Sequence, residues 1–224
     1  MLKQGSRRRA FAALIGTLSL WGSARAADLQ QLVMETQRVT TADGIVQLVW
    51  WLPHQFWEES MKSNAAIPAA ARDQILTTFG DYTMLAMMRA TAGLTGITDG
   101  VSKDELLKNL SVDVDGKKLE PLPPDQLSPV AQLLLAQLKP AMASMVGQLG
   151  ENLEFVVFPA KVDGKPLLDA AKAGNFTVKL YDQTATWRLP LGSLLPKRSD
   201  RKTGEQFPGN YNFNPYTGDK LAAP

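Results

Sequence analysis

GIVQLVWWLPHQFWEES, residues 44–60, holds three of the chain's five tryptophans and its only histidine, His54. Residues 45–52 form a near-continuous run of β-branched, aliphatic and aromatic side chains, which predicts a strand buried on both faces and ended by Pro53. Residues 55–62 then suit a short helix. Because each aromatic ring buries roughly 150–250 Å², we expect the core to be organised around this strand and helix.

The segments around this strand predict antiparallel pairing. Asp43-Gly44 favours a two-residue turn, so residues 34–41 and 45–52 are expected to form a hairpin. Residues 82–92 predict a buried strand whose three methionines fill the core. Two V-D-G-K-x-L segments, at 114–119 and 162–167, indicate similar hairpins rather than a shared ligand loop. Further strands are predicted at 154–158, 176–181 and 184–189, with Asp182-Gln183 as the turn of the last pair.

Helices are predicted at 68–79, after the capping box at Ser102, and from Pro129 to Gly150. The longest one should be kinked by Pro140. An apolar stripe at steps of three or four residues should face the core rather than a membrane surface, since the polar face lacks basic charge. The stripe consists of Val130, Leu134, Leu138, Met142, Met145, Val146 and Leu149. The sequence therefore predicts the α+β class, an antiparallel sheet or β-sandwich body with three or four helices and a short ordered tail.

Residues 1–26 are typical of an export signal. A basic start precedes an apolar run at 10–21, and Ala24-Arg25-Ala26 fits a cleavage site. Residues 8–11, R-R-A-F, resemble the core of twin-arginine signals, and the general secretion route remains an alternative. We expect a periplasmic or secreted protein, from a Gram-negative bacterium, with a body at 27–196 and a tail at 197–224.

Charge and cysteine content narrow the classes of function. Of the 24 basic residues, five lie in residues 1–26, so the predicted mature chain has 19 against 22 acidic residues and a net charge of −3. This balance does not favour nucleic-acid binding, which needs a basic face. The chain has no cysteine, so we expect neither a lipoprotein anchor nor a disulfide scaffold. No membrane span is expected in the mature chain.

The tail combines glycine, asparagine and aromatic residues. D-x-x-T-G-E at 200–205 and N-P-Y-T-G-D-K-L at 214–221 resemble the two knuckles of a zinc ribbon, a family in which each knuckle reads C-P-x-C-G. The resemblance covers roughly 25 residues and implies a ribbon that has lost its metal, since zinc prefers thiolate or imidazole ligands. A calcium site would need more carboxylates. The four cysteine positions are occupied by Asp200, Thr203, Asn214 and Thr217.

The metal-free tail is expected to keep its knuckle turns through Gly204, Gly218 and side-chain hydrogen bonds of Asp and Asn. Its aromatic side chains are expected to dock it on the body. The rest of the chain, including W-x-P-x-x-F-W-E at 51–58, resembles exported bacterial proteins with no assigned activity. That resemblance implies no catalytic residue.

Catalytic groups are scarce. His54 and Glu58 are four residues apart and can meet on one helical face, as two metal ligands or as a base with its orienting carboxylate. The sequence supplies no second histidine, so we predict no metal, no cofactor and no catalytic residue, and we favour a binding protein over an enzyme.

Two hypotheses follow for the function. The first is a non-catalytic exported protein that binds a protein or another cell-envelope partner. The second is a cell-envelope glycan-binding module, or a glycan hydrolase with two carboxylates in a cleft. The candidate contact residues are Trp57, His54, Glu58, Phe207, Tyr211, Phe213 and Tyr216.

Overall fold

The computed structural model describes residues 24–63, 66–93, 96–146, 148–162 and 164–223. The predicted signal peptide therefore lies outside the described residues except for 24–26, which begin the first helix. The turn residue Asp163 also lies outside them.

The elements alternate between helices and antiparallel strands. The helices are α1 Ala24–Thr36, α2 His54–Ser63, α3 Ala69–Phe79, α4 Lys103–Lys108, α5 Pro129–Val146 and α6 Gln148–Glu151. The strands are β1 Gln37–Ala42, β2 Ile45–Leu52, β3 Tyr82–Gly93, β4 Gly96–Thr98, β5 Leu110–Val114, β6 Lys117–Leu119, β7 Glu154–Pro159, β8 Lys161–Val162, β9 Lys165–Pro166, β10 Gly174–Leu180, β11 Gln183–Leu189, β12 Arg198–Ser199 and β13 Gln206–Phe207.

Two sheets form the body. The first has the order β1-β2-β3-β4, with β7 also paired to β3, and the second has the order β11-β10-β5-β6. Every strand pair in the described ranges is antiparallel. Short two-stranded ribbons, β8-β9 and β12-β13, complete the set. The α+β class is confirmed.

The first sheet is covered on both faces. Alternate residues of its strands, such as Val49 and Trp51 on β2, enter a core shared with the second sheet. The residues between them, such as Leu48 and Trp50, enter another core shared with the helices. This arrangement explains why β2 lacks polar alternation, and it confirms the predicted strand buried on both faces.

Aromatic rings join the two sheets. Trp51 of β2 meets Phe176 and Trp187 of the second sheet, with ring centroids 5.2 and 6.3 Å apart. Phe176 and Trp187 are stacked at 5.0 Å, and the Trp187 indole N–H donates to the Glu35 carbonyl at 3.1 Å. Trp187 therefore connects the C-terminal end of α1 to the second sheet, and its ring also fills the core between the two sheets.

The predicted methionine and Asp-Gly assignments hold. Met84, Met87 and Met88 of β3 are all at most 1% exposed, so they belong to the cores. Asp43 and Gly44 have φ values of 50° and 75°, the positive pair that a tight hairpin turn needs. Asp115 and Gly116 repeat this geometry with 50° and 83°.

Two predicted boundaries were wrong. Residues 34–36 belong to α1 rather than to the first strand, because Thr36 bonds back to the Leu32 carbonyl and closes the helix. The β10-β11 turn is Tyr181-Asp182, since Leu180 pairs with Gln183. Beyond α5, which is described to Val146, helix continues over Gln148–Glu151, and residue 147 between them lies outside the described part.

The predicted stripe of α5 holds at Leu134, Leu138 and Met142 and fails at Val130. Val130 is 37% exposed, whereas Ala131 is fully buried. Leu134, Leu135, Leu138 and Met142 pack against the helix-facing core. The small alanine side chain lets the first turn approach the core closely, so the helix presents position 131 instead of 130. The side chains of residues 143–149 lie outside the described part.

Candidate functional site

Trp57 proves to be a core residue rather than a contact residue. It is 6% exposed, and its ring lies 4.6 Å from Phe79 and 5.0 Å from Phe56. The apolar periodicity of α2 turns this side chain inward against α3. Because a buried ring cannot stack on a partner, Trp57 leaves the predicted contact surface.

His54 and Glu58 do meet on one face of α2, as their spacing predicted. His54 Nε2 lies 3.5 Å from Glu58 Oε1, and both side chains are about 40% exposed. The other ring nitrogen of His54, Nδ1, is buried and has no hydrogen-bond partner among the described residues. Within those residues, no group of three or more His, Cys, Asp or Glu side chains is placed to hold a metal ion.

A cleft opens beside His54 at one end of the sandwich. Its volume is about 240 Å³. The residues that line it are Trp51, Pro53, His54, Gln55, Gly80, Tyr82, Thr83, Ala160, Lys161, Pro166, Leu168 and Asp169. The carboxylate among them, Asp169, accepts from the Ala171 N–H and pairs with Lys172, both at 3.0 Å. Partial burial raises the pKa of Asp169, but these two contacts outweigh it, so the pKa is lowered.

The cleft therefore lacks the pair of carboxylates that a glycan hydrolase uses. A single carboxylate already held by a lysine is a poor general acid, because its lowered pKa keeps it ionised.

The tail contains two turns of the same construction. In the first knuckle, residues 200–205, the Asp200 N–H donates to the Glu205 carbonyl at 2.8 Å and the Gly204 N–H returns to the Asp200 carbonyl at 2.9 Å. In the second, residues 214–219, the equivalent bonds of Asn214 are both 2.8 Å. Gly204 and Gly218 have φ values of 73° and 74°, so both turns need glycine at this position.

The side chains repeat the pattern. Asp200 Oδ1 accepts from the Lys202 and Thr203 N–H groups at 2.7 and 3.1 Å. Asn214 Oδ1 accepts from the second and third residues after it at 2.9 and 3.4 Å. The Thr203 hydroxyl accepts from the Glu205 N–H at 3.2 Å. In the second knuckle, the Thr217 hydroxyl accepts from the Asp219 N–H at 3.3 Å. The predicted knuckle turns are thus present with oxygen acceptors.

The knuckles face each other across a direct hydrogen bond. Asn214 Nδ2 donates to Asp200 Oδ2 at 2.8 Å, and the two residues are 2% and 3% exposed. The Asn214 amide, followed by the N–H groups of Lys202 and Thr203, lowers the pKa of Asp200. Lys202 also pairs with Asp219 at 2.8 Å. The Asn214–Asp200 hydrogen bond therefore joins the two knuckles directly.

The tail contacts the body through backbone hydrogen bonds, and its Phe207 ring lies near Tyr216 of the tail itself, at a centroid distance of 6.3 Å. Phe207 is 5% exposed, so the structure removes it from the predicted contact surface as well. The Gly209 N–H donates to the Gly192 carbonyl at 3.1 Å. The Glu35 carboxylate accepts from the N–H groups of Gly192 and Ser193 at 3.1 and 3.0 Å. These contacts connect α1, the loop that contains Gly192 and Ser193, and the tail.

Three aromatic side chains remain outside. Tyr211, Phe213 and Tyr216 are 42%, 57% and 81% exposed, and we call them the tail aromatics. The predicted docking of the tail on the body by aromatic side chains therefore fails for these three. Their backbones are fixed by the knuckle: Phe213 forms a β-bridge with Lys220, and the Tyr216 N–H is held by Asn214.

Sequence reasoning did not find Glu35, Lys161 or Asp169. Glu35 lies on an ordinary amphipathic helix, and its carboxylate meets a loop 157 residues later in the chain. Lys161 and Asp169 reach the cleft only because the second V-D-G-K hairpin folds beside α2. No local pattern signals either contact.

Exchanging the two facing residues tests the knuckle pair. Asp200→Asn is expected to lower the melting temperature, because it sets two amide N–H₂ groups against each other while Asn214 Oδ1 is held by its own turn. Asn214→Asp places two carboxylates in contact, which also destabilises. The double variant restores the bond in the reverse direction and should recover most of the loss in thermal unfolding and in protease resistance of the tail.

Asp182→Asn, in an exposed turn, is the matched control for the loss of one carboxylate. If the double variant were as unstable as the two single losses added together, the Asp200 and Asn214 side chains would not form the pairing described.

The fold and site together define an antiparallel α+β sandwich with a helical cover and a hydrogen-bonded pair of knuckles. Within the described residues, no helix has the length and hydrophobicity that crossing a membrane requires. Comparisons of the chain with protein-family models, with curated proteins and with solved structures gave no match.

Proposed function

We propose that the chain is an exported, non-catalytic protein that binds a protein partner of the cell envelope through the tail aromatics. The observation that carries this proposal is the exposure of Tyr211, Phe213 and Tyr216 on backbone that hydrogen bonds hold in place. Aromatic side chains are enriched at protein interfaces and dominate their binding energy. Exposing three of them close together in sequence has no benefit for folding.

The rigidity of the knuckles supports the same proposal. Each turn has its own set of hydrogen bonds, and the Asn214–Asp200 contact locks the two together at 2.8 Å. A partner that binds such a surface orders little new chain, so less binding energy is lost to conformational entropy. A tail that served only as a linker would not need this construction.

The charge of the tail indicates the partner's surface. Residues 197–224 carry five basic and three acidic side chains, whereas residues 27–196 carry 14 basic and 19 acidic ones. The tail is therefore locally positive on a negative protein. Complementary charge guides encounter and orientation, so the partner is expected to present acidic side chains around an apolar contact.

The glycan-binding alternative loses its proposed platform. The tryptophans in the described ranges, at positions 50, 51, 57 and 187, are at most 7% exposed. None of them can stack on a sugar ring. Binding of a protein partner through the tail aromatics is therefore better supported than glycan binding.

Capture from cell-envelope extract tests this function. Immobilised wild-type protein is compared with Phe213→Ser/Tyr216→Ser and with Leu133→Ser, which removes another apolar side chain, 64% exposed, on α5. We expect one protein to be retained by the wild type and by Leu133→Ser, and to be reduced at least tenfold by the double variant, a loss of about 1.4 kcal/mol or more. Equal retention by all three, or retention of glycan alone, would contradict the proposal.

A further inference from the structure

A proline-rich segment lies at the surface between β6 and α5. Residues 120–125 read E-P-L-P-P-D and hold three of the chain's 14 prolines. Pro123 has φ −69° and ψ 157°, close to the values of a polyproline II helix. Pro123 and Pro124 are exposed. The segment therefore presents an extended proline surface to solvent.

Hydrogen bonds hold this segment in place. The Leu122 N–H donates to the Val157 carbonyl of β7 at 2.8 Å. From α5, Gln132 Nε2 donates to the Pro124 carbonyl at 2.9 Å. A preformed polyproline II segment loses little conformational entropy on binding, and such segments dock on surfaces lined by aromatic rings. The protein thus carries a preformed ligand for an aromatic surface.

The tail aromatics form a surface of that kind. Tyr216 and Phe213 are 81% and 57% exposed, and the Tyr216 ring lies 6.3 Å from the buried ring of Phe207. The antiparallel bridge between Phe213 and Lys220 places these two side chains next to each other. Both of them are exposed. The surface therefore combines aromatic rings with a cation.

The proline-rich segment is acidic. Glu120 and Asp125 border the prolines and are exposed, and residues 119–129 contain no basic residue. Lys118 precedes them, but it lies opposite Asp113 in the register of β5 and β6. The segment therefore offers carboxylates on both sides of an apolar surface, and this charge is complementary to that of the tail.

The exposed charge of the knuckles is positive. Among the side chains of residues 200–220 that reach solvent, Lys202 and Asp219 neutralise each other at 2.8 Å. Arg201 and Lys220 then outnumber Glu205. These two cations are therefore available to meet the carboxylates of an acidic segment.

Within one copy, the two surfaces do not cover each other. Both remain exposed, and each is fixed to a different part of the body. The tail is bound to the Gly192 carbonyl through the Gly209 N–H, whereas the proline-rich segment is bound to Val157. A contact between the two surfaces therefore needs two copies of the chain.

We infer that the partner of the tail aromatics is a second copy of this chain, whose proline-rich segment docks on them. The inference rests on the proposed function, because it uses the same surface. The contact joins two different surfaces, so each copy binds one neighbour through its tail and another through its segment. Such an association gives a closed ring or an open chain of copies.

Sedimentation of the purified protein from about 1 μM to about 1 mM, a range that includes weak contacts, tests the inference. The wild type is expected to form dimers or larger assemblies as the concentration rises. Phe213→Ser/Tyr216→Ser removes the tail surface, and Glu120→Lys/Asp125→Lys reverses the charge of the segment. All four side chains are exposed, so both variants should fold, and each alone should associate at least tenfold more weakly than the wild type.

An equal mixture of the two variants is the sharpest comparison. One variant keeps its segment and the other keeps its tail, so each mixed pair contains one intact contact. The mixture is expected to form a dimer and to stop there, because the remaining surfaces of that dimer are both altered. A contact between two tails would not be restored by mixing.

Asp73→Lys/Asp182→Lys is the matched control, since it reverses two exposed carboxylates elsewhere and should associate like the wild type. The inference is overturned by a wild type that stays monomeric, by a Glu120→Lys/Asp125→Lys protein that associates as the wild type does, or by a mixture that forms no dimer. In each case, retention of a different protein in the capture experiment would leave the proposed function standing, whereas failure of both experiments would refute both.

Discussion

Replacing Trp187 by alanine is expected to lower the free energy of unfolding by about 3–5 kcal/mol. The ring is 1% exposed and lies against Phe176 and Trp51, at centroid distances of 5.0 and 6.3 Å. Its removal leaves a cavity between the sheets, and the Glu35 carbonyl loses an indole donor. Since a domain of ordinary stability has only about 5–15 kcal/mol in total, this single change should shift the urea midpoint strongly.

Trp187→Phe separates packing from the hydrogen bond. It keeps most of the aromatic contact and removes the indole N–H, so its loss should be clearly smaller than that of the alanine variant. Leu133→Ala, on the exposed side of α5, should be close to neutral. A Trp187→Ala protein with the urea midpoint of the wild type would contradict the position of this ring in the inter-sheet core.

Placing four cysteines in the knuckles is expected to create a tight zinc site. The variant is Asp200→Cys/Thr203→Cys/Asn214→Cys/Thr217→Cys, which follows the tail's resemblance to a zinc ribbon. Asn214 Nδ2 already lies 2.8 Å from Asp200 Oδ2. Backbone N–H groups of the two turns donate to the Oδ1 atoms of Asp200 and Asn214. Structural zinc sites contribute about 10–16 kcal/mol of apparent binding free energy near pH 7, so metal should stabilise the tail markedly.

Several readouts make this experiment decisive. One zinc ion per chain should bind in metal analysis, and cobalt should give the spectrum of a tetrahedral thiolate site. Without metal, the variant should be less stable than the wild type, because thiols replace the Asp200–Asn214 bond. The quadruple serine variant is the control and should bind neither ion. Failure of the cysteine variant to bind zinc would contradict the resemblance.

The first sheet was accessible from the sequence because its signals are local. An unbroken apolar run over residues 45–52 has few alternatives to a strand buried on both faces, and Asp43-Gly44 restricts the chain to a tight turn. The buried methionines of β3 followed from the same reasoning. Each of these segments is specified by its own side chains, so tertiary contacts had little to change.

The errors arose where tertiary contacts choose between similar local solutions. The stripe of α5 offers both Val130 and Ala131 to the core, and close packing selects the smaller side chain. Trp57 and Phe207 were expected at the surface because composition alone does not reveal which aromatic side chains have a partner. Burial of Trp57 by Phe79 depends on how α2 meets α3, which no spacing in the sequence records.

At the knuckles and the cleft, too, local features could be predicted and contacts between distant segments could not. The knuckle turns could be predicted because glycine and Asx spacing specify them within six residues. The Asp200–Asn214 bond, by contrast, joins two turns that are 14 residues apart. The cleft was not predicted, since Trp51, Lys161 and Asp169 come from distant parts of the chain. Their individual residue types carry no sign of a shared pocket.

Site-specific photocrosslinking in the producing cell tests the central proposal most directly. A photoreactive amino acid is placed at position 216, on the second knuckle, and in a parallel strain at position 133, on α5. The account predicts one discrete protein adduct from position 216 and its absence from position 133. Absence of an adduct from position 216, or the same adducts from both positions, would contradict the assignment of the tail aromatics as the binding surface.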